Sequence, residues 1–144
     1  MLFEPDFIVN IDGASRGNPG EASYGFAIQD RSGKVIHKGS DTIGKATNNV
    51  AEYTALIRAL EYALKRNIRS LEIRSDSLLL VNQLRGEFKI KSESLAELAQ
   101  EGRKLLAKLE WFEIRHVPRE ENKLADRLAN QALNKKKKKV MSDE

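Results

Sequence analysis

Four carboxylates carry the most chemistry in this sequence: Asp12, Glu52, Asp76 and Asp126. Asp12 closes an alternating apolar run, and Glu52 falls in the first turn of a helix expected from Asn48. Asp76 follows Leu71–Ser75, and Asp126 opens a final apolar stripe. Taken singly, each has an ordinary explanation. An Asp before a glycine-rich segment serves a turn, Glu52 and Asp126 complement positive helix ends, and Ser75 or Asp76 caps a helix. Taken together, they carry a different meaning. Two unit charges 4 Å apart cost about 4 kcal/mol at an effective dielectric near 20, so a fold keeps a carboxylate cluster where it binds cations. Oxygen donors without His or Cys favour Mg2+ or Mn2+. Two such ions about 3.5–4 Å apart suit hydrolysis of a phosphodiester. Spacing alone leaves capping and metal binding both open.

The elements that must position these residues follow from the apolar periodicity. Phe7, Val9 and Ile11 alternate with Ile8, Asn10 and Asp12, a period of two that predicts a strand. Gly13–Gly20 interrupts it, with Pro19-Gly20 suited to the centre of a type II turn. A second strand is expected at about Ser23–Gln29 and a third at about Lys34–Ile43, separated by the reversal Asp30-Arg31-Ser32-Gly33. Tyr53, Leu56, Ile57, Leu60, Ala63 and Leu64 then recur at helical spacing, predicting a helix over Asn48–Arg66. Leu71–Ser75 reads as a strand, Asp76–Leu84 as a helix closed by Gly86, and Ser92–Leu109 as a further helix. Trp111–Val117 is a last strand, and Ala125, Leu128, Ala129, Ala132 and Leu133 form a last helical stripe. The order βββαβααβα predicts an α/β fold: three antiparallel strands, then strands joined in parallel through helical crossovers. In such sheets ligands bind beyond the carboxyl ends of strands, where Asp12 and Asp76 lie.

The chain has 144 residues, enough for one domain, with 40% apolar and 32% charged residues. Its net charge of +4 includes the run Lys135–Lys139 and the acids Asp143 and Glu144; without those seven residues, positions 1–134 carry +1. A nucleic-acid reading therefore rests on a site and not on overall charge. Residues 1–134 are expected to form a single domain, and 135–144 a lysine-rich disordered tail. The absence of cysteine excludes disulfides, thiolate catalysis and thiolate-bound metal. The longest apolar run, Leu78–Val81, is far below the roughly 20 residues of a membrane span, and no signal peptide opens the chain. The expectation is a cytoplasmic monomer with no membrane partner.

Four segments resemble motifs of the type 1 ribonuclease H family, in that family's order. They are Val9–Gly20, Thr47-Asn48-Asn49-Val50-Ala51-Glu52, Arg74-Ser75-Asp76-Ser77 and Asn122–Ala129. The resemblance covers about residues 6–134. It implies a ribonuclease H-like fold, a five-stranded mixed sheet with strands 1-2-3 antiparallel and strands 1-4-5 parallel. It implies an endonuclease that hydrolyses the RNA strand of an RNA–DNA hybrid with two divalent ions, Mg2+ or Mn2+, leaving 5′-phosphate and 3′-hydroxyl ends. Asp12, Glu52, Asp76 and Asp126 match the family's catalytic metal ligands. Thr47 and Asn49 match positions that hold a DNA-strand phosphate, and Asn18 and Asn48 match polar positions near the hybrid. Gly13 and Ser15 belong to a low-bulk segment whose backbone approaches the duplex. Recognition through the 2′-hydroxyl and groove shape implies little sequence specificity and leaves duplex RNA open as a further substrate.

Three features depart from the family's pattern. His116 precedes Val117-Pro118, a strand position, whereas many members carry a mobile His in the loop before the last Asp; Arg119 or Glu120 stands there instead. The segment Leu84–Ser94 is too short for the long basic handle of larger members, leaving Arg85, Lys89 and Lys91. No separate hybrid-binding domain precedes Asp6. The competing readings are a catalytically silent hybrid-binding module and a related nuclease acting on another duplex.

Overall fold

The computed structural model describes residues 4–87 and 89–142, with side chains through Lys136. Five strands form one sheet: β1 (Phe7–Gly17), β2 (Gly20–Asp30), β3 (Val35–Ala46), β4 (Ser70–Ser75) and β5 (Trp111–His116). Their spatial order is β3-β2-β1-β4-β5. β1, β2 and β3 pair antiparallel, while β4 pairs parallel with both β1 and β5. The expected architecture is the observed one. Four helices complete it: α1 (Asn48–Lys65), α2 (Leu78–Leu84), α3 (Glu93–Leu106) and α4 (Lys123–Ser142), with a 3₁₀ turn at Arg119–Glu121. No helix among the described residues is long and apolar enough to cross a membrane.

The main differences from expectation lie at element ends. β1 does not stop at Asp12 but continues to Gly17, because Gly13 through Gly17 stay in register with Tyr24 through Gly20 of β2. The connecting turn is centred on Asn18 and Pro19, joined by a cis peptide, and not on Pro19-Gly20 as a type II turn. Ser77 caps α2, accepting from the Leu80 N–H at 3.2 Å, so neither Ser75 nor Asp76 is spent as the cap. The lysine run, expected to be disordered, continues α4 to Ser142. No Gly or Pro interrupts 123–142, and lysine is a good helix former. Lys136 also pairs with Glu21 of β2 at 2.8 Å. Asp143 and Glu144, the end of that expected tail, lie outside the described residues.

The core sits between the sheet and α1, where Val9, Ile11, Phe26, Ile28 and Ile73 meet Tyr53, Leu56 and Leu60. Each large apolar side chain buried there contributes about 1.5–3 kcal/mol. α4 packs against β1, β2 and β3 through the alternate strand positions. Ser23 donates to the Ala129 carbonyl at 2.5 Å, and a Cβ on Gly25 would lie 2.5 Å from the Ala125 carbonyl oxygen. Bare glycine thus lets α4 seat directly on β2. The same device operates at Gly13, where a Cβ would lie 2.5 Å from the Glu52 nitrogen and 2.6 Å from the Ala51 carbonyl carbon. Close seating of α1 on β1 brings Asp12 and Glu52 into the lining of one cleft.

Candidate active site

A cleft of about 450 Å³ opens where β1, α1, the β4–α2 junction and α4 converge, and Asp12, Glu52, Asp76 and Asp126 all line it. Asp12 lies opposite Gly25 in the centre of the sheet and is 7% exposed. Its Oδ1 accepts the Gly13 N–H at 2.9 Å. Burial, followed by repulsion from Asp76 and Asp126, pushes its carboxyl up to about 8. Glu52 falls in the second turn of α1, beyond the expected first turn, and α1 has no acidic residue in that turn. A helix-end role therefore does not account for Glu52. Burial raises it to about 7, opposed by the Ser77 hydroxyl and reinforced by Asp76. Ser77 thus bears on two groups, accepting from Leu80 and favouring the charged form of Glu52.

Asp76 follows directly on β4. Burial raises its carboxyl most, opposed by the Arg119 guanidinium and the Asn122 amide, while Asp126 adds repulsion. Asp126, in the first turn of α4, receives the Asn130 amide at 3.2 Å. Asn122 is a buried hub, 1% exposed. Its amide donates to the Ile11 carbonyl at 2.9 Å, its Oδ1 accepts from Asn10 at 3.0 Å, and its carbonyl accepts the Asp126 N–H at 3.1 Å. One residue thereby ties β1 to the start of α4.

The donor set fits divalent cations. Every candidate donor is an oxygen, and Glu52 Oε2 is buried with no hydrogen-bond partner among the described residues. Carboxyls held against burial and one another gain most from a hard cation. Among the described residues no three such side chains close on one point as a finished ligand set. Convergence is at the level of the cleft.

The remaining expected residues divide. Gly13, Ser15 and Asn48 line the same cleft. The Ser15 hydroxyl is turned toward the main-chain carbonyls of Gly17 and, at 2.9 Å, Ala46. Asn18 is exposed and accepts the Asn48 N–H at 3.1 Å, which satisfies a free donor at the start of α1. Thr47 lies outside the cleft, capping α1 through Val50 at 3.2 Å and lining a separate groove of about 520 Å³ with Lys45 and Glu97. Asn49 is also absent from the cleft lining; its amide reaches Gln83 at 3.3 Å. His116 ends β5, as its strand position implied, and its Nε2 lies 3.3 Å from the main-chain oxygen of Asp76. Arg119, which had no assigned role, lines the cleft, as does Asn130. The i,i+4 spacing of Asn130 from Asp126 was a readable signal for its contact.

Known proteins resemble this chain in sequence and fold. A family model described as reverse transcriptase-like matches residues 10–132. Ribonuclease HI of Halobacterium salinarum is 46% identical over 123 residues, which are 85% of this chain and 62% of that protein. The bifunctional protein Rv2228c of Mycobacterium tuberculosis is 40% identical over 128 residues, which are 88% of this chain and 35% of that protein. The chain thus spans less than two-thirds of either relative. Among solved structures, RNase H1 of Halobacterium salinarum superposes with a TM-score of 0.87 at 43% identity, covering 90% of this chain and 98% of that one. LC11-RNase H1 in complex with an RNA/DNA hybrid superposes with a TM-score of 0.84 at 40% identity, covering 90% and 97%. Sheet order, carboxylate cleft and relatives agree: this chain belongs to the ribonuclease H family.

Proposed function

We propose that the chain is an endonuclease that hydrolyses the RNA strand of RNA–DNA hybrids, leaving 5′-phosphate and 3′-hydroxyl ends with little sequence preference. The observation that carries this reading is the meeting of four carboxylates from four separate elements in one cleft. Asp12 would hold both of two Mg2+ or Mn2+ ions, Glu52 and Asp76 one, and Asp126 the other. When bound, such ions polarise the scissile phosphate, activate water and neutralise the charge of the leaving oxygen.

The protein's own groups do the positioning. Burial keeps the cleft's dielectric low, which strengthens each charge interaction inside it. Asn130 holds Asp126, while the Asn122 amide beside Asp76 and the Ser77 hydroxyl beside Glu52 favour their charged forms. Gly13, Ala14 and Ser15 line the cleft with little side-chain bulk and admit a sugar–phosphate backbone closely. Thr47 accepts from Val50 and keeps its hydroxyl proton for a phosphate oxygen. Asn49 donates to the same DNA strand, while Asn18 and Asn48 contact the hybrid beside it. The 2′-hydroxyl identifies the strand to be cut. The protein acts as a cytoplasmic monomer.

The test is cleavage of one end-labelled RNA strand, presented as hybrid, duplex RNA and single strand, with Mg2+, Mn2+ or chelator. Metal-dependent cutting of the hybrid is expected, lost in Asp12→Asn. Cutting of duplex RNA as well would show that Thr47 and Asn49 discriminate poorly. A folded, metal-supplied protein that binds hybrid without cutting it would overturn the reading in favour of a silent binding module.

A further inference from the structure

Asn49 sits at the start of α1 but turns toward the helices behind it, onto a carboxamide that the reaction does not use. Gln83, in the last turn of α2, is 5% exposed. Its Oε1 accepts from the Tyr53 hydroxyl at 2.9 Å and from Asn49 Nδ2 at 3.3 Å. Tyr53 is fully buried in α1. The Gln83 main-chain oxygen is fixed from α3 by Arg103 at 2.7 Å. One residue therefore joins α1, α2 and α3 directly beneath Asn49. The acceptor also decides what Asn49 offers. With one Nδ2 proton committed to Gln83, the second remains for an oxygen acceptor, while Asn49 Oδ1 stays buried without a partner. A phosphate oxygen accepts and never donates, so an amide turned the other way would repel it.

We propose that Gln83 is a positioning residue that fixes the Asn49 amide for the DNA strand's phosphate and braces it against α2 and α3. The inference rests on the reading of Asn49 as a substrate contact. Gln83 touches neither hybrid nor metal ligands; it acts through Asn49. Losing it should weaken hybrid binding and leave the chemical step alone.

The test uses the full chain with labelled hybrid and saturating Mg2+, comparing wild type, Gln83→Met, Asn49→Ala and the double variant. Gln83→Met is expected to raise KM roughly three- to tenfold, the weight of one hydrogen bond, at unchanged kcat. Added to Asn49→Ala it should have little further effect, because both changes remove one contact. Hybrid affinity in an Asp12→Asn background, read by fluorescence anisotropy, should fall by the same factor. Circular dichroism establishes that each variant is folded. Should Gln83→Met fail to fold, Gln83→Asn, which withdraws the acceptor but keeps the amide, should shift KM in the same direction. An unchanged KM, or penalties from Gln83 and Asn49 that simply add, overturns the proposal. So does an Asn49→Ala enzyme with wild-type KM, which leaves the nuclease reading intact. A wild type that neither cuts nor binds hybrid overturns both.

Discussion

Asp12 should cost the metal-free protein stability in proportion to its ionisation, and Asp12→Asn should return it. The folded-state carboxyl titrates near 8 against an ordinary 3.8. The folded protein thus binds that proton more tightly than the unfolded chain. Stability is fully present below about pH 4 and is lost as pH rises through about 8. Each pKa unit is worth about 1.4 kcal/mol, so the ceiling on the penalty is about 2 kcal/mol at pH 5 and about 6 kcal/mol at pH 8.5. Repulsion from Asp76 and Asp126 is part of the cause and is shared among three groups, so the measurable change over this range falls below that ceiling. Asparagine keeps the oxygen that accepts the Gly13 N–H and removes the charge. The assay is urea unfolding by circular dichroism in chelator at pH 5 and 8.5. Asp12→Asn should gain over wild type, and gain more at the higher pH. Added Mg2+ should stabilise wild type far more than the variant, since only a ligand that prefers the folded state stabilises it. Parallel wild-type and variant profiles would refute the placement of a strained, buried carboxyl at Asp12.

Gly13→Ala should cost about 3 kcal/mol and abolish hybrid cleavage, because its Cβ would meet α1 backbone at 2.5–2.6 Å and part Asp12 from Glu52; wild-type Tm and activity would refute the close seating. Arg119→Ala removes the charge that holds Asp76 down, so the acid limb of kcat/KM should move to higher pH; an unmoved limb would take Arg119 out of the site's electrostatics. Lys136→Ala breaks an exposed pair with Glu21 and should change stability by no more than about 0.5 kcal/mol in urea unfolding. A larger loss would mean that the end of α4 contributes to the fold.

The four carboxylates were readable because chemistry restricts residue type: Asp and Glu are the side chains that offer a hard cation anionic oxygen donors near neutral pH. Strand and helix identities were readable because apolar periodicity reports directly on which face is buried. Element ends were less so. Glycine at position 13 suits a turn and a tight helix–strand contact equally well, and only the partner backbone at 2.5 Å decides between them. Ser75, Asp76 and Ser77 are all capping residues by type, and the choice of Ser77 is what leaves Asp76 facing the cleft. The supporting amides were the least visible. Asn122 meets Ile11 across 111 positions and Asn49 meets Gln83 across 34, distances over which local sequence patterns are silent. Asn130, four positions from Asp126, lay within reach of a helical rule. This division follows from what each class of residue does. Metal ligands must be particular atoms, so their type exposes them. A positioning residue needs only one donor or acceptor at the right place, which many side chains supply, so its role becomes visible only in the fold that brings it there. For Gln83 the prediction is therefore one of coupling to Asn49, and the double variant tests it where sequence reading alone could not.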